Sequence, residues 1–542
     1  MSEMQKENKL QIRAKLLSAI ANLLNSQNKE QVNQQVEELS QIQDKSAVLE
    51  ILKKEFLKDN TESKDFIISF LLRTLLAQDV LENAFFEDLI NPKINDETKA
   101  KVVNFLREIG KHVNYDEYIS YFENPDEIID TDTEKLLENA KINPEAQIDF
   151  LDFLTALPDS EKEMLVTSLS QDYDGDNLTN ILVPVIMSNP YSELSQSAIS
   201  AIGESKSKLA YPALLKVYEI AEDQKIRANV QKSLNLLKLS GIKEDLTKDY
   251  YKKILGKSPI NACYLSFPDG HGNIGLIFSR KTESGFIQMF ALVMNDIDGI
   301  IDCFGFNEIS EQEFERIVDK FYQNNKVIEA DAVFCKYLME NAEKITRLKF
   351  EAVSYEYIAW KSITNDIDYA EIDLKQQLNT VELNEFLMKQ IYEQGYFDRW
   401  FFEKNDNTAF SAMMENIINK KICDTKIFES EIQKNKQNIF DSAQVSILNN
   451  RLILSSYMAK LDDEEIASSV LYSLTQDCPC RESFLTDYLK KSVYQYFLAQ
   501  KDRYESIKNA TSIFARKANQ ELNEIDIKYI KQCIKNIEEV WI

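Results

Sequence analysis

Glycine and proline are scarce in this sequence, twelve and ten among 542 residues, and the 236 residues after Phe306 hold one of each, Gly395 and Pro479. Average usage would place about 16 and 12 there. A stretch so poor in breakers predicts an all-helical C-terminal domain over residues 326–542. Histidine is scarcer still: His112 and His271 are the two present, so Ser-His-Asp hydrolysis and His-built zinc sites have little material. No run of about 18 apolar residues occurs, and the opening MSEMQKENKL lacks the apolar core of a signal peptide. Cysteines at 263, 303, 335, 423, 478, 480 and 533 are odd in number and without framework spacing, which suits a reducing compartment. Positive charge is also short. Against 89 Asp and Glu stand 63 Lys and Arg, a net charge of −26 that repels nucleic-acid backbones and anionic membrane surfaces. Basic runs such as Lys420-Lys421 are short and lie among acids. The expectation is a cytoplasmic protein that binds neither nucleic acid nor membrane, with partners that carry basic surfaces.

What is present is enough apolar material to fold. Hydrophobic residues make up 44% of the chain, and its length calls for two or three domains or one extended array. Over the first 242 residues the helical segments are short, and four share a format: DETKAKVVNFLREIG from Asp96, NPEAQIDFLDFLTAL from Asn143, NPYSELSQSAISAIG from Asn189 and DQKIRANVQKSLNLL from Asp223. Their starts lie 47, 46 and 34 residues apart. An Asn or Asp is expected at each N-cap, Pro144 and Pro190 in the first turn, and Gly110 and Gly203 at helix ends. A second helix falls between successive units, as at YPALLKVYEIA from Tyr211.

With this format the stretch from about Lys45 to Leu239 resembles the HEAT-repeat (armadillo-like) family, and YPALLKVYEIAEDQKIRANVQKSLNLL from Tyr211 carries the resemblance best. What the resemblance implies is an α-solenoid scaffold with a concave protein-binding face and no chemistry of its own.

The middle region, residues 255–325, has another character. The runs ACYLSF, IGLIFSR and FIQMFALVMN are separated by PDGHGN and KTESG and followed by DIDG, and six of the twelve glycines lie between Gly270 and Gly305. Such runs predict a three- or four-stranded antiparallel meander, closed by the helix SEQEFERIVDKFYQ with Ser310 and Glu313 at capping-box spacing. In the tail, Phe334, Leu338, Ala342, Ile345, Leu348, Ala352 and Tyr355 form one helical face. The overall expectation is a mostly α protein: a HEAT-like array, a small α+β module, then a helical domain.

Gly270, Gly272 and Gly275 match G-x-G-x-x-G, but the third glycine leads into a strand, where a dinucleotide fold needs a helix, and no phosphate-pairing lysine or H-R-D follows. GHGNIG therefore reads as a tight turn. In an up-down-up meander the first and third turns share one end of the sheet, which brings Asp269, His271 and Asn273 toward Asn295, Asp296 and Asp298. Asp269, His271, Asp296 and Asp298 are accordingly candidate ligands for a divalent cation or for a partner's basic side chain, although neither DIDG nor DYDGDN completes a calcium loop. Cys478-Pro479-Cys480 would need remote ligands such as Cys423 or Cys533 to hold zinc. His112 reads as a loop residue. Tyr396, Phe397, Arg399 and Trp400, in YEQGYFDRWFF, are candidates for a partner-binding patch, with burial in a core as the alternative.

No constellation argues for catalysis, and no cofactor is implied. The leading expectation is a scaffold or adaptor for other proteins. A metal- or ligand-dependent enzyme or sensor, and a subunit of a larger assembly, are the alternatives.

Overall fold

The computed structural model describes residues 9–24, 29–58, 60–109, 120–124, 137, 143–173, 175–242, 255–323, 325–349, 352–403, 405–509 and 524–541. They are mostly helical, with one small five-stranded antiparallel sheet in the middle and helices to the C-terminus. The chain forms two compact units, Met1–Leu136 and Leu137–Ile542. His112 and Gly110 lie outside the described residues.

The first unit contains α1 (Lys9–Leu24), α2 (Lys29–Ser40), α3 (Lys45–Phe56), α4 (Glu62–Leu75), α5 (Gln78–Leu89) and α6 (Asp96–Glu108). Its core centres on Phe56, Phe85 and Phe105, each fully buried, with ring centroids 4.6–5.3 Å apart. Aromatic groups in such contact add about 0.5–1.5 kcal/mol per pair to their burial.

The second unit opens with α7 (Pro144–Ala156), α8 (Asp159–Asp172), α9 (Gly175–Ser188), α10 (Glu193–Glu204), α11 (Ala210–Ile220) and α12 (Gln224–Leu239). Helices here pack on the next and on the next but one, as α10 does on α9, α8 and α12. Asn143 and Asp223 cap α7 and α12 as expected, each accepting from a backbone N–H of the first turn. Asn189 and Pro190 do not play the parts expected of them. Pro190 precedes α10, and Ser192 caps it, accepting from the Ser195 N–H. Nor does Gly203 end a helix. It lies inside α10, where a Cβ would stand 2.4 Å from that of Ser233, so it sets how closely α10 and α12 approach.

The sheet comprises β1 (Ile260–Ser266), β2 (Asn273–Lys281), β3 (Ile287–Asn295) and β4 (Gly299–Ile309), with the short β5 (Val327–Glu329) added beside β1, in the order β4-β3-β2-β1-β5. The meander is as the sequence predicts, and β5 is additional. The helix α13 (Glu311–Tyr322), with the expected Ser310–Glu313 capping box, buries Phe314 and Tyr322 against one face, over Ile277, Met289 and Ala291. Against the sheet also packs α14 (Ala332–Leu348), which stops earlier than its apolar periodicity suggests. Ala352 and Tyr355 lie beyond it, and Leu348 is 70% exposed. The edge of β4 is occupied by side chains: Thr346 Oγ1 accepts from Ile300 N at 2.8 Å and Glu145 Oε1 from Asn307 N at 3.3 Å.

Beyond α15 (Tyr355–Lys361) and a short 3-10 turn, Ser362–Thr364, the tail runs without helix to α16 (Glu385–Glu393). DIDYAEIDLKQQLNT offers too few apolar residues to bury a helical face. The remainder is α17 (Thr408–Asn419), α18 (Thr425–Ile439), α19 (Ser442–Leu461), α20 (Glu465–Ser473), α21 (Pro479–Asn509) and α22 (Glu524–Trp541).

Candidate functional site

Antiparallel pairing of β2 with β3 sets Asn273 opposite Asn295, which brings the Gly270 turn and the Asp296 turn to the same end of the sheet, as strand parity requires. Asp269 folds the first turn. One carboxylate oxygen accepts from the backbone N–H of His271 and of Asn273, both at 2.9 Å, and the other from Asn273 Nδ2 at 3.2 Å. Asn295 ties the two turns, with Nδ2 donating to His271 O (3.0 Å) and to Asn273 Oδ1 (2.8 Å). Gly272 has φ +88, and a Cβ there would meet Asp296 Oδ1 at 1.8 Å.

The cation that meets these turns is the chain's own. Arg451, from the middle of α19 and 5% exposed, donates Nε to Asp296 Oδ2 at 2.7 Å and Nη2 to Asp296 Oδ1 at 2.8 Å. The same guanidinium reaches the carbonyls of Gly270 and of His271, the latter at 2.9 Å. Tyr488 of α21 donates to Gly270 O at 3.0 Å. Asp298 stands apart, paired with Lys349. Asp269, His271 and Asp296 thus serve a turn and its docking onto the C-terminal helices, and among the described residues no group of three or more His, Cys, Asp or Glu is placed to hold a metal. Cys423 and Cys533 do face each other, with no third ligand of that kind beside them among those residues.

His271 pairs through Nδ1 with Asp406 Oδ2 at 2.6 Å, and its ring meets Phe401 edge-on. Burial works against protonation, but the Asp406 hydrogen bond and charge, with Asp269 and Glu403 nearby, raise the imidazole pKa above its usual value. Asp406 is shifted down, with His271 and the Glu403 N–H outweighing its partial burial. A His-Asp pair has the make-up of a general base. Here, however, Nε2 is buried, makes no hydrogen bond among the described residues and stands 3.8 Å from Glu403 Oε1, so the pair is a latch.

Clefts of about 420 Å³ and 460 Å³ adjoin His271. The first is walled by Gly275, Val293, Ile301 and Phe321 of the sheet module and by Tyr396 and Trp400 of the segment after α16. The aromatic residues proposed for a partner patch are core: Tyr396, Phe397 and Trp400 are 2–4% exposed, and Trp400 Nε1 donates to Pro268 O at 2.9 Å. Packing this short stretch against the Gly270 turn and α21 buries four large rings, Tyr396, Phe397, Trp400 and Phe402, and leaves Phe401 half-buried. Only Arg399 of the four is exposed, donating to Asn325 Oδ1 at 2.9 Å.

Arg451, Tyr488 and Asp406 were missed by the sequence reading, because they come from elements far along the chain and carry no local signature. A lone Arg amid the apolar run of α19, in LNNRLILSSYMA, was the available clue. Comparison of the chain with protein-family models, with curated proteins and with solved structures finds no match.

Proposed function

We propose that the chain is a protein-binding adaptor without catalysis, in which HEAT-like helices frame the sheet module and the module's uncovered strip takes the partner. One observation carries this reading: Ile301, Phe304 and Phe306 of β4 are 51%, 39% and 37% exposed, beside β2 and β3, which are almost wholly buried. Phe304 and Phe306 pair with Ala291 and Met289, on the face that α13 covers only in part, and Phe304 touches Phe321 at the edge of that helix. The strip continues through Ile301 and Val293 into the cleft beside Trp400. Exposed aromatics in contiguous array mark interaction sites more often than isolated ones do. The stacking of α7 to α12 on near neighbours supports the framing role.

Asp298, Asp302 and Glu308 are exposed at the rim, in a chain of net charge −26, so the partner should carry a basic border around an apolar centre. The test is affinity capture with wild type and with a Phe304→Ser, Phe306→Ser variant of matched melting temperature, across salt from below to above ~0.15 M. A defined protein lost with the variant, and weakened by salt in the wild type, is the expected result. Identical capture by both chains at every salt would overturn the reading.

A further inference from the structure

A cavity of about 410 Å³ lies where α9 and α11 meet α14, α15 and the segment that follows them, remote in sequence from the Gly270 turn. One wall is apolar, with Pro184, Pro212, Leu209 and Ile358. The other carries donors that the protein does not use. Asn180 is 8% exposed, and its Nδ2 is buried with no hydrogen-bond partner among the described residues. Leaving a buried donor unpaired costs about 1–3 kcal/mol, so it calls for an explanation. Pro184, inside α9, also has no N–H to offer the Asn180 carbonyl one turn before it. Lys216 is the second unspent donor. Its Nζ is 3.8 Å from both Glu340 Oε2 and Glu343 Oε1, beyond hydrogen-bond distance.

Those two carboxylates are already engaged. Lys361, 7% exposed, sits 2.6 Å from Glu340 Oε1 and 2.5 Å from Glu343 Oε2, and Arg347 holds Glu343 at 2.9 Å. Lys336 donates to the carbonyls of Thr364 and Ile367 at 2.9 and 2.7 Å. Three cations, Lys216, Arg347 and Lys361, therefore share two carboxylates, and Lys336 lies near enough to feel Glu340. Of the other acids close by, Asp366 is bound to Arg280 at 2.5 Å, and Asp368 is exposed at the cavity. Burial and the crowding of like charges are felt by the lysines. Lost hydration first and Lys361 second lower the Lys216 pKa, and Lys336, where burial dominates, falls to about 8. Glu343 goes the other way: burial opposes its charge, but Lys361, Lys216 and Arg347 hold it well below the usual carboxylate range.

We propose that this cavity binds a small organic anion, its oxyanion head accepting hydrogen bonds from Lys216 Nζ and Asn180 Nδ2 and its apolar body lying on Pro184, Pro212 and Ile358. Such a ligand satisfies the orphan amide and gives the Lys216 ammonium the close hydrogen bond its two ion pairs lack, and the volume lies within the range of small-molecule sites. The inference stands apart from the β4 strip, which shares no residue with the cavity.

The test is calorimetric titration of the full chain, at constant ionic strength, with inorganic phosphate, hexanoate, hexyl phosphate and hexanol. Saturable binding of hexanoate or hexyl phosphate, with hexanol silent, is expected, and the better of the two identifies the head group as carboxylate or phosphate. The Lys216 side chain is 42% exposed, so Lys216→Ala should fold. It should bind about tenfold more weakly, as loss of a charge-assisted hydrogen bond implies. Asn180→Leu, which removes the orphan amide, should weaken binding without lowering the melting temperature. The proposal is overturned if no anion binds better than hexanol, or if both variants bind as wild type does.

Discussion

Arg451 and His271 hold the Gly270 turn by different means, and the difference is open to titration. Arg451 stays charged at any pH the fold survives, so its bonds to Asp296 and to two carbonyls are a fixed joint. His271 is charged only below its raised pKa. A group whose folded pKa exceeds its unfolded value of about 6.5 contributes stability that is complete below that value and is lost as pH rises through the folded pKa. Asp406 is shifted down, so its share is present above the unfolded carboxylate value and is lost as pH falls through the folded one. The latch is therefore strongest between the two. Asp406→Asn should cost about 1 kcal/mol near pH ~5.5, below the ~1.5–3 kcal/mol of a buried charged hydrogen bond because Asp406 is 31% exposed, and should cost less at pH ~9. Urea unfolding of wild type and variant across that range checks this. A difference that stays flat with pH would mean that the imidazole never carries the charge.

At the scale of elements, the GHGNIG stretch shows what was legible and what was not. Its turn character, the strands on either side and the convergence of the first and third turns all follow from glycine placement and strand parity. The receiving surface does not, since Arg451 on α19 and Tyr488 on α21 lie about two hundred residues away and local patterns carry no distance information. Misreadings at helix ends share one cause. Asn189-Pro190 and Ser192 are all plausible caps, and packing of α10 against its neighbours selects Ser192. β5 is three residues long, below what alternation can reveal, and exists because β1 offers it an edge. The turn's backbone carries a prediction of its own. A side chain at Gly272 pays for a left-handed φ, roughly 1 kcal/mol or more, and displaces the Asp296 carboxylate from Arg451. Gly272→Ala should therefore lower stability by about 3 kcal/mol or more, as breaking a buried pair does, whereas Gly285→Ala should stay near ~1 kcal/mol, because that glycine also has positive φ but nothing within 4 Å of its Cβ position. Chemical denaturation of the two variants side by side separates contact from conformation, and equal losses would show that the Arg451 joint adds nothing.

At the scale of the whole molecule, the sheet module is distinct in sequence but not self-sufficient. Its β4 edge is met by Glu145 of α7 and by Thr346 of α14, its first turn by Trp400, Arg451 and Tyr488, and Arg280 of β2 donates to the Ile363 carbonyl and pairs with Asp366. Ser188, at the end of α9, accepts at its carbonyl from the Val353 N–H, which joins the preceding helices to those that follow the sheet. Composition marks a module here because strands need β-branched residues and turns need glycine. Independence is another matter, decided by whether an element's polar and apolar groups find partners within it. For this sheet many do not: Arg280 depends in part on Ile363 and Asp366, the Gly270 carbonyl on Tyr488, and an excised sheet would lose these partners and expose Phe278 and Phe290. A fragment of residues 255–330 should therefore lack a dispersed amide spectrum in solution NMR, while residues 137–542 should give one. A well-dispersed spectrum from the short fragment would show that the helical contacts hold a module already folded, and the joints around Arg451 would then be docking contacts that the sheet can do without.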